Sequence, residues 1–189
     1  EPETEVKMDV PSGFIKSYAK VKNGQVTGVR FENVPSFVQS LDTKIDVPGI
    51  GEINYDLAFG GAFYAFVDVA QLGLDCTSKY QNQLIETGIK IKHAVMDSVK
   101  MVHPLEPDMN FLYGTIFTGV SKNPNHHSRN VCIFAEGEVD RSPTGTGVSA
   151  RAAILHAKDE IKLGESIIIE SIIGSTFSVK VVETTTFGN

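Results

Sequence analysis

Asp140, Ser142, Thr144 and Thr146 fall within seven residues of one another, in the stretch DRSPTGTG, alongside one proline and two glycines. The apolar run VCIF lies shortly before them, and a helix-like segment, VSARAAILHAKDE, comes after. A helix that begins near Thr146 leaves its first backbone N–H groups without intrahelical acceptors. With the positive end of the helix dipole, those groups form a site for an anion. Gly145 and Gly147 carry no Cβ, so a carboxylate or phosphate can approach the backbone closely. The three hydroxyls can bond a ligand or cap the helix. Asp140 can receive a ligand ammonium while the amides hold its carboxylate, a pairing that suits an amino or imino acid. The same residue types are also what turns and helix caps use with no ligand present. No Lys-Ser or Lys-Thr comes after the glycines, so this is not a phosphate-binding P-loop, and the third glycine of a dinucleotide fingerprint is missing.

The elements that must hold this turn can be read from periodicity. The first 70 residues read as β structure. FIKSYAKV alternates, Asn23-Gly24 supplies a hairpin turn, and VTGVRFENV returns as the partner strand. TKIDVPGIGEINYDLAF reads as a second hairpin through Pro48-Gly49, and GGAFYAFVDV as a further strand. From Gln81 to Val102 the period changes: Leu84, Gly88, Ile91, Val95, Val99 and Val102 recur at spacings of three and four, opposite a polar stripe of Glu86, Lys90, His93, Asp97 and Lys100. The spacing predicts an amphipathic helix ended by His103-Pro104. FLYGTIFTGV and RNVCIFAEG read as two strands, a second helix runs from about Thr146 to Glu160, and ESIIIESIIGSTFSVKVVET gives two strands turning near Gly174. Short turns between consecutive strands predict an antiparallel sheet, and two helices need a sheet face to cover, so the class is α+β. Phe59 to Phe66, FGGAFYAF, packs glycines among aromatics, either as a core strand with close backbone approach or as a pocket wall.

Bulk properties narrow the partners. The 189 residues suffice for one substantial domain, with 41% hydrophobic and 21% charged residues and a net charge of -6. An acidic chain with four arginines does not offer a nucleic-acid surface, and no apolar run approaches the roughly 18 residues of a membrane span. Cys76 and Cys132 show no CxxC spacing; of a disulfide and two buried thiols of a reducing, cytoplasmic compartment, the second is the expectation. His126-His127, without a third ligand in view, reads as a solvated loop rather than a metal site, and His93 and His103 as a helix surface and its end. The chain begins without Met and without a leader pattern, and its far end stops just after a strand-like segment, so both ends read as those of an excised piece.

DRSPTGTG, DLAFGGAFYAFV, FLYGTIFTG and VPSFV together resemble the proline racemase superfamily, most closely its trans-3-hydroxy-L-proline dehydratase branch, over essentially the whole chain. The resemblance implies a diaminopimelate epimerase-like fold: two similar lobes, each of antiparallel strands wrapped around a central helix, with an imino-acid substrate between them and no cofactor. Racemases of this family place one cysteine in a Met-Cys-Gly-His motif on the first lobe and another in Asp-Arg-Ser-Pro-Cys-Gly-Thr-Gly on the second. Here Thr144 stands at the second position, and a hydroxyl is a far poorer acid or base than a thiol with a pKa of about 8.5. The dehydratases carry threonine there. By that likeness the first-lobe cysteine takes the Cα proton, the C3 hydroxyl leaves as water, and the enamine tautomerises to Δ1-pyrroline-2-carboxylate. This is the chemistry of a hydro-lyase in amino-acid catabolism. Met-Cys-Gly-His does not occur in the chain. Residues 1–189 are therefore expected to be one lobe, the second, with a first lobe built from both ends of a longer chain as its partner. Alone it is expected to be inactive, and its uncovered face makes a homodimer a further expected state. Carried over residue by residue, Thr144 takes the catalytic position in a supporting role. Asp140 meets the ring nitrogen, Gly145 and Thr146 offer N–H groups to the carboxylate, and Phe134 forms an apolar wall. Two readings stand beside this one: a racemase or hydroxyproline epimerase, and a non-catalytic imino-acid binding protein.

Overall fold

A computed structural model describes residues 3–186. Residues 1–2 and 187–189, on which the reading of the chain ends partly rests, lie outside the described residues. The chain opens with three antiparallel strands, β1 (Glu3–Val10), β2 (Gly13–Lys22) and β3 (Gln25–Glu32), which form a sheet of their own. In β1 the charged Glu3, Glu5, Lys7 and Asp9 alternate with Thr4, Val6, Met8 and Val10, the period-two pattern of a strand.

The second sheet contains β4 (Phe37–Val47), β5 (Gly51–Phe59), β6 (Phe63–Asp68), β7 (Leu112–Gly119), β8 (Ser128–Phe134), β9 (Glu138–Val139), β10 (Ser166–Glu170) and β11 (Thr176–Lys180). Its order is β11-β10-β8-β7-β6-β5-β4, with β9 paired to β8. The expected antiparallel sheet holds for most neighbours but not all: β6 runs parallel to β7, and β8 parallel to β10. The cause is the two helices, α1 (Gln81–Ser98) between β6 and β7 and α2 (Gly145–Ala157) between β9 and β10. A helix that crosses a sheet face delivers the chain back to the same end, where a tight turn would reverse it.

Helix α1 buries Leu84, Gly88, Ile91 and Val95, the stripe that its sequence period marks out. Each of the larger side chains stabilises the fold by about 1.5–3 kcal/mol. The helix ends at Ser98 instead of running to Val102. Gln39 explains the difference: its Nε2 donates to Lys100 O at 2.8 Å and its Oε1 accepts from Val102 N at 3.0 Å, so this backbone is satisfied in extended form. His103 accordingly sits off the helix, its ring 4.6 Å from Phe59 and 5.5 Å from Phe37, with Nδ1 accepting from the N–H groups of Leu105 and Glu106.

Helix α2 lies on the opposite face and touches β4, β5, β6 and β11, so both edge strands of the sheet reach one helix. The sheet thus curls round α2, as the expected wrapped helix requires. The glycines of the FGGAFYAF stretch allow the contact: a Cβ on Gly60 would overlap Thr146 O and Ala150 N. Backbone lies against backbone here, the first of the two readings of that stretch.

The loop before β8 is largely exposed, as expected, but His126 within it and Arg129 just after it are pinned. His126 Nδ1 lies 2.6 Å from Glu170 Oε1, and Arg129 donates to Glu170 Oε2 through Nε and Nη2 and to Cys76 O through Nη1. Burial pushes the Glu170 carboxyl up, but the bonds from His126, Arg129 and Ser121 outweigh it and hold the group at about 2. Among the described residues no cluster of metal-ligating side chains occurs, and no helix is long and apolar enough to cross a membrane.

Candidate functional site

The DRSPTGTG turn connects β9 to α2 and is tied at its start to β8, where Asp140 N donates to Cys132 O at 3.1 Å. The Asp140 carboxylate organises the rest of the turn. Its Oδ1 accepts from Ser142 N at 2.8 Å and its Oδ2 from the Thr144 hydroxyl at 2.9 Å, while Ser142 Oγ accepts from Thr144 N at 3.0 Å. Thr144 has φ 70° and ψ 104°. A positive φ at a β-branched residue is costly, about 1–3 kcal/mol, and the carboxylate of Asp140 holds the residue in it. Two of the three hydroxyls are therefore spent inside the turn, and none caps α2 in the ordinary way.

The helix begins at Gly145. Val148 N donates to Thr144 O, but among the described residues the N–H groups of Gly145 and Thr146 meet no protein acceptor. Both residues are half-buried. A Cβ on Gly145 would meet only Phe31 Cζ of β3, at 3.5 Å, so the side of the helix start that Gly145 faces is open apart from that ring. The dipole of a 13-residue helix points its positive end there.

An aromatic row flanks the same turn. The Tyr64 hydroxyl lies 2.7 Å from Thr146 Oγ1, the Tyr64 and Tyr113 rings meet edge to face at 5.6 Å, and Tyr113 stacks on Phe134 at 5.4 Å. Phe134 thus closes one end of a row of three rings. Burial raises the Tyr113 and Tyr64 hydroxyls above their ordinary range. Of the five residues that the sequence singles out, Asp140, Thr144, Gly145 and Thr146 come together around one helix start, and Phe134 connects to it through Tyr113 and Tyr64. Tyr64 and Tyr113 are not among them. The only signal for these two is the aromatic-rich stretch FYAF and the FLYG strand, each of which also suits a plain core strand.

Neither thiol is a base for this site. Cys76 and Cys132 are both free and buried. Burial pushes each up to about 12, although the Thr144 hydroxyl beside Cys132 and Arg129 beside Cys76 pull the other way. A cavity of about 790 Å³ lies elsewhere, along the outer side of α2 at Ser149, Ala152 and His156, between Phe37 of β4 and Val179 of β11. It does not adjoin the turn, and its walls carry none of the turn's anion-binding geometry.

The arrangement presents amide donors at one end and a carboxylate at the other, the two ends of a zwitterion. The family model described as proline racemase matches residues 1–189. The chain belongs to the proline racemase family. It is 50% identical over 184 residues to a trans-3-hydroxy-L-proline dehydratase of Colwellia psychrerythraea, a match covering 97% of this chain and 52% of that protein. It is also 38% identical over 187 residues to a 3-hydroxyproline 2-epimerase of Burkholderia multivorans, covering 99% of this chain and 56% of the relative. A crystal structure of a hydroxyproline epimerase from Agrobacterium vitis with bound trans-4-hydroxy-L-proline superimposes with a TM-score of 0.93 at 40% identity, covering 98% of this chain and 53% of that one. The chain spans about half the length of these relatives. Among members of this family the observed α+β fold, a sheet curled round a helix, is the expected one.

Proposed function

We propose that the chain is the substrate-carboxylate lobe of a dehydratase that converts trans-3-hydroxy-L-proline to Δ1-pyrroline-2-carboxylate, working with a first lobe that supplies the base. The observation that carries this reading is the pair of unpaired N–H groups at Gly145 and Thr146, five and six residues beyond the Asp140 carboxylate. The amides take the substrate carboxylate and stabilise charge that spreads onto it as the Cα proton leaves. Asp140 retains lone pairs on both oxygens beyond its bonds to Ser142 and Thr144 and takes the ring ammonium. Phe134 and Tyr113 wall the ring. Thr144 offers no thiol, and Cys132 behind it is too weak an acid to replace one. One lobe without a base binds and does not turn over. On this reading residues 1–189 act as a single unit that needs no cofactor and no metal, in the cytoplasm, with an imino acid and the first lobe as partners. Pyrroline-2-carboxylate formation by the full-length parent tests it: no product from trans-3-hydroxy-L-proline, with the first-lobe cysteine intact, removes the dehydratase reading.

A second reading, hydroxyproline epimerase, has the names of two relatives in its favour. Epimerisation needs an acid and a base on opposite sides of Cα, and Thr144 supplies neither near neutral pH. Thr144→Cys in the full-length parent measures the distance between the two chemistries: the variant is expected to gain proline or hydroxyproline epimerisation and to lose dehydration.

A further inference from the structure

We infer that Tyr64 is a positioning residue of this site: its hydroxyl donates to Thr146 Oγ1 and so turns the Thr146 proton outward, as a third donor for the substrate carboxylate. This rests on the carboxylate reading of the α2 start.

The two oxygens lie 2.7 Å apart, and either could donate by distance alone. Their surroundings decide between the two directions. Tyr64 is 1% exposed, and among the described residues Thr146 Oγ1 is the one acceptor within reach of its hydroxyl. If Thr146 donated, the phenol proton would be buried with no acceptor, the expensive arrangement for a polar group. If Tyr64 donates, the leftover proton belongs to Thr146, which is only half-buried and can offer it to a ligand or to water. Burial also keeps the phenol protonated throughout the range in which proteins are folded. The phenol reaches Thr146 from β6, 82 residues away in sequence, and Gly60 and Gly61 of the preceding bend let the helix come close enough for the bond to form.

Thr144 is fixed the other way. Its proton goes to Asp140 Oδ2, so only lone pairs remain on its oxygen. The two threonines of the turn therefore have opposite polarity: Thr146 adds a donor to the carboxylate end, and the buried Thr144 hydroxyl keeps only lone pairs, behind Asp140.

NMR on the purified chain tests the direction without any ligand. A slowly exchanging hydroxyl proton is expected on Tyr64, with cross-peaks to the Thr146 methyl group, and lost in Thr146→Val. A slow proton on Thr146 instead, or a Tyr64 hydroxyl in fast exchange with water, overturns the inference. Titration with L-proline and with L-prolinamide, which lacks the anion, then reads the consequence. Thr146→Val is expected to weaken L-proline binding about 5–10-fold, the loss of one hydrogen bond, and L-prolinamide binding less than twofold. Tyr64→Phe should weaken L-proline binding by less, because the Thr146 hydroxyl stays and loses only its orientation, and the double variant should be no weaker than Thr146→Val alone. Additive losses, or equal losses for both ligands, overturn the inference. If L-proline shifts neither the Gly145 nor the Thr146 N–H in the unaltered chain, the carboxylate site itself fails, while the ligand-free hydroxyl resonance still decides the direction of the bond.

Discussion

Helix α1 meets its sheet along one stripe, whereas α2 is touched by strands from both edges of the sheet. On α1, Leu84, Gly88, Ile91 and Val95 face inward and Glu86, Lys90 and His93 face water. On α2, Gly147, Val148, Ala150, Ala152, Ile154 and Leu155 are buried, and they do not fall on one side. A helix enclosed by its sheet needs small side chains around it, which is what the run of glycine and alanine provides. Its N-terminus is the place where its backbone polarity still reaches the outside. The start of α1 is built differently: a turn of 3-10 helix at Ser78–Tyr80 precedes it, and Ser78, Lys79 and residues 81–83 are exposed. The proposed carboxylate site sits on the enclosed helix, where enclosure fixes the direction in which the amides point.

Substitutions where each helix meets its sheet, and in the loop network beside them, break this comparison. Gly60→Ala should have the largest effect. The new Cβ would collide with Thr146 O and Ala150 N, main-chain atoms that cannot swing aside. We expect a loss above about 4 kcal/mol, or no folded protein, in denaturant unfolding. Arg129→Met comes next, with a loss of about 3–5 kcal/mol, because it leaves the buried Glu170 carboxylate without its cation. The pH dependence of the same network has a definite sign. A carboxyl lowered from 4.5 to about 2 in the folded state stabilises fully above about pH 4.5, and that contribution is lost as pH falls toward 2. Urea midpoints across that window should show a steep acid limb, flattened in Glu170→Gln.

Gly88→Ala, the counterpart on α1, meets side-chain carbons of Ile133 at 2.8 Å. Ile133 can shift, and alanine favours the helix by up to about 1 kcal/mol, so a net loss of about 1–2 kcal/mol is expected from thermal or chemical unfolding. The smallest effect belongs to Gly145→Ala, whose Cβ finds only Phe31 at 3.5 Å. Stability should change by less than about 0.5 kcal/mol, while L-proline binding, followed by calorimetry, should weaken because the methyl group occupies the space that the ligand needs. A large stability loss there would show that the helix start is packed rather than open.

The same contrast explains what can be read from the sequence. Helix α1 is legible because one-sided burial leaves a period. Its end is not, since the bonds that replace helical ones at Lys100 and Val102 come from Gln39, on a strand far away in sequence. The turn of the site is legible from its glycines, hydroxyls and acid. Its conformation is not: threonine is the last residue type expected at a positive φ, and the bond to Asp140 that holds it there emerges only from coordinates. The alternation in β1 is present in the sequence, but an exposed strand rich in charge does not advertise itself beside the stronger hairpin after it. The direction of pairing between β6 and β7, or β8 and β10, is written in no single strand, only in the helices that join them. Tyr64 is read from sequence only within a stretch that suits a core strand or a pocket wall, and Tyr113 only within a strand, because their role depends on which strand ends up beside which helix.

The bond between Tyr64 and Thr146 joins residues separated by 82 positions, and this bears on the order of events when the chain folds. Contacts that distant close late, after hairpins such as β4–β5 and the local turns of α1 have formed. Ligand affinity should thus arise only in the final kinetic phase, which would make binding a reporter of completed assembly rather than of secondary structure.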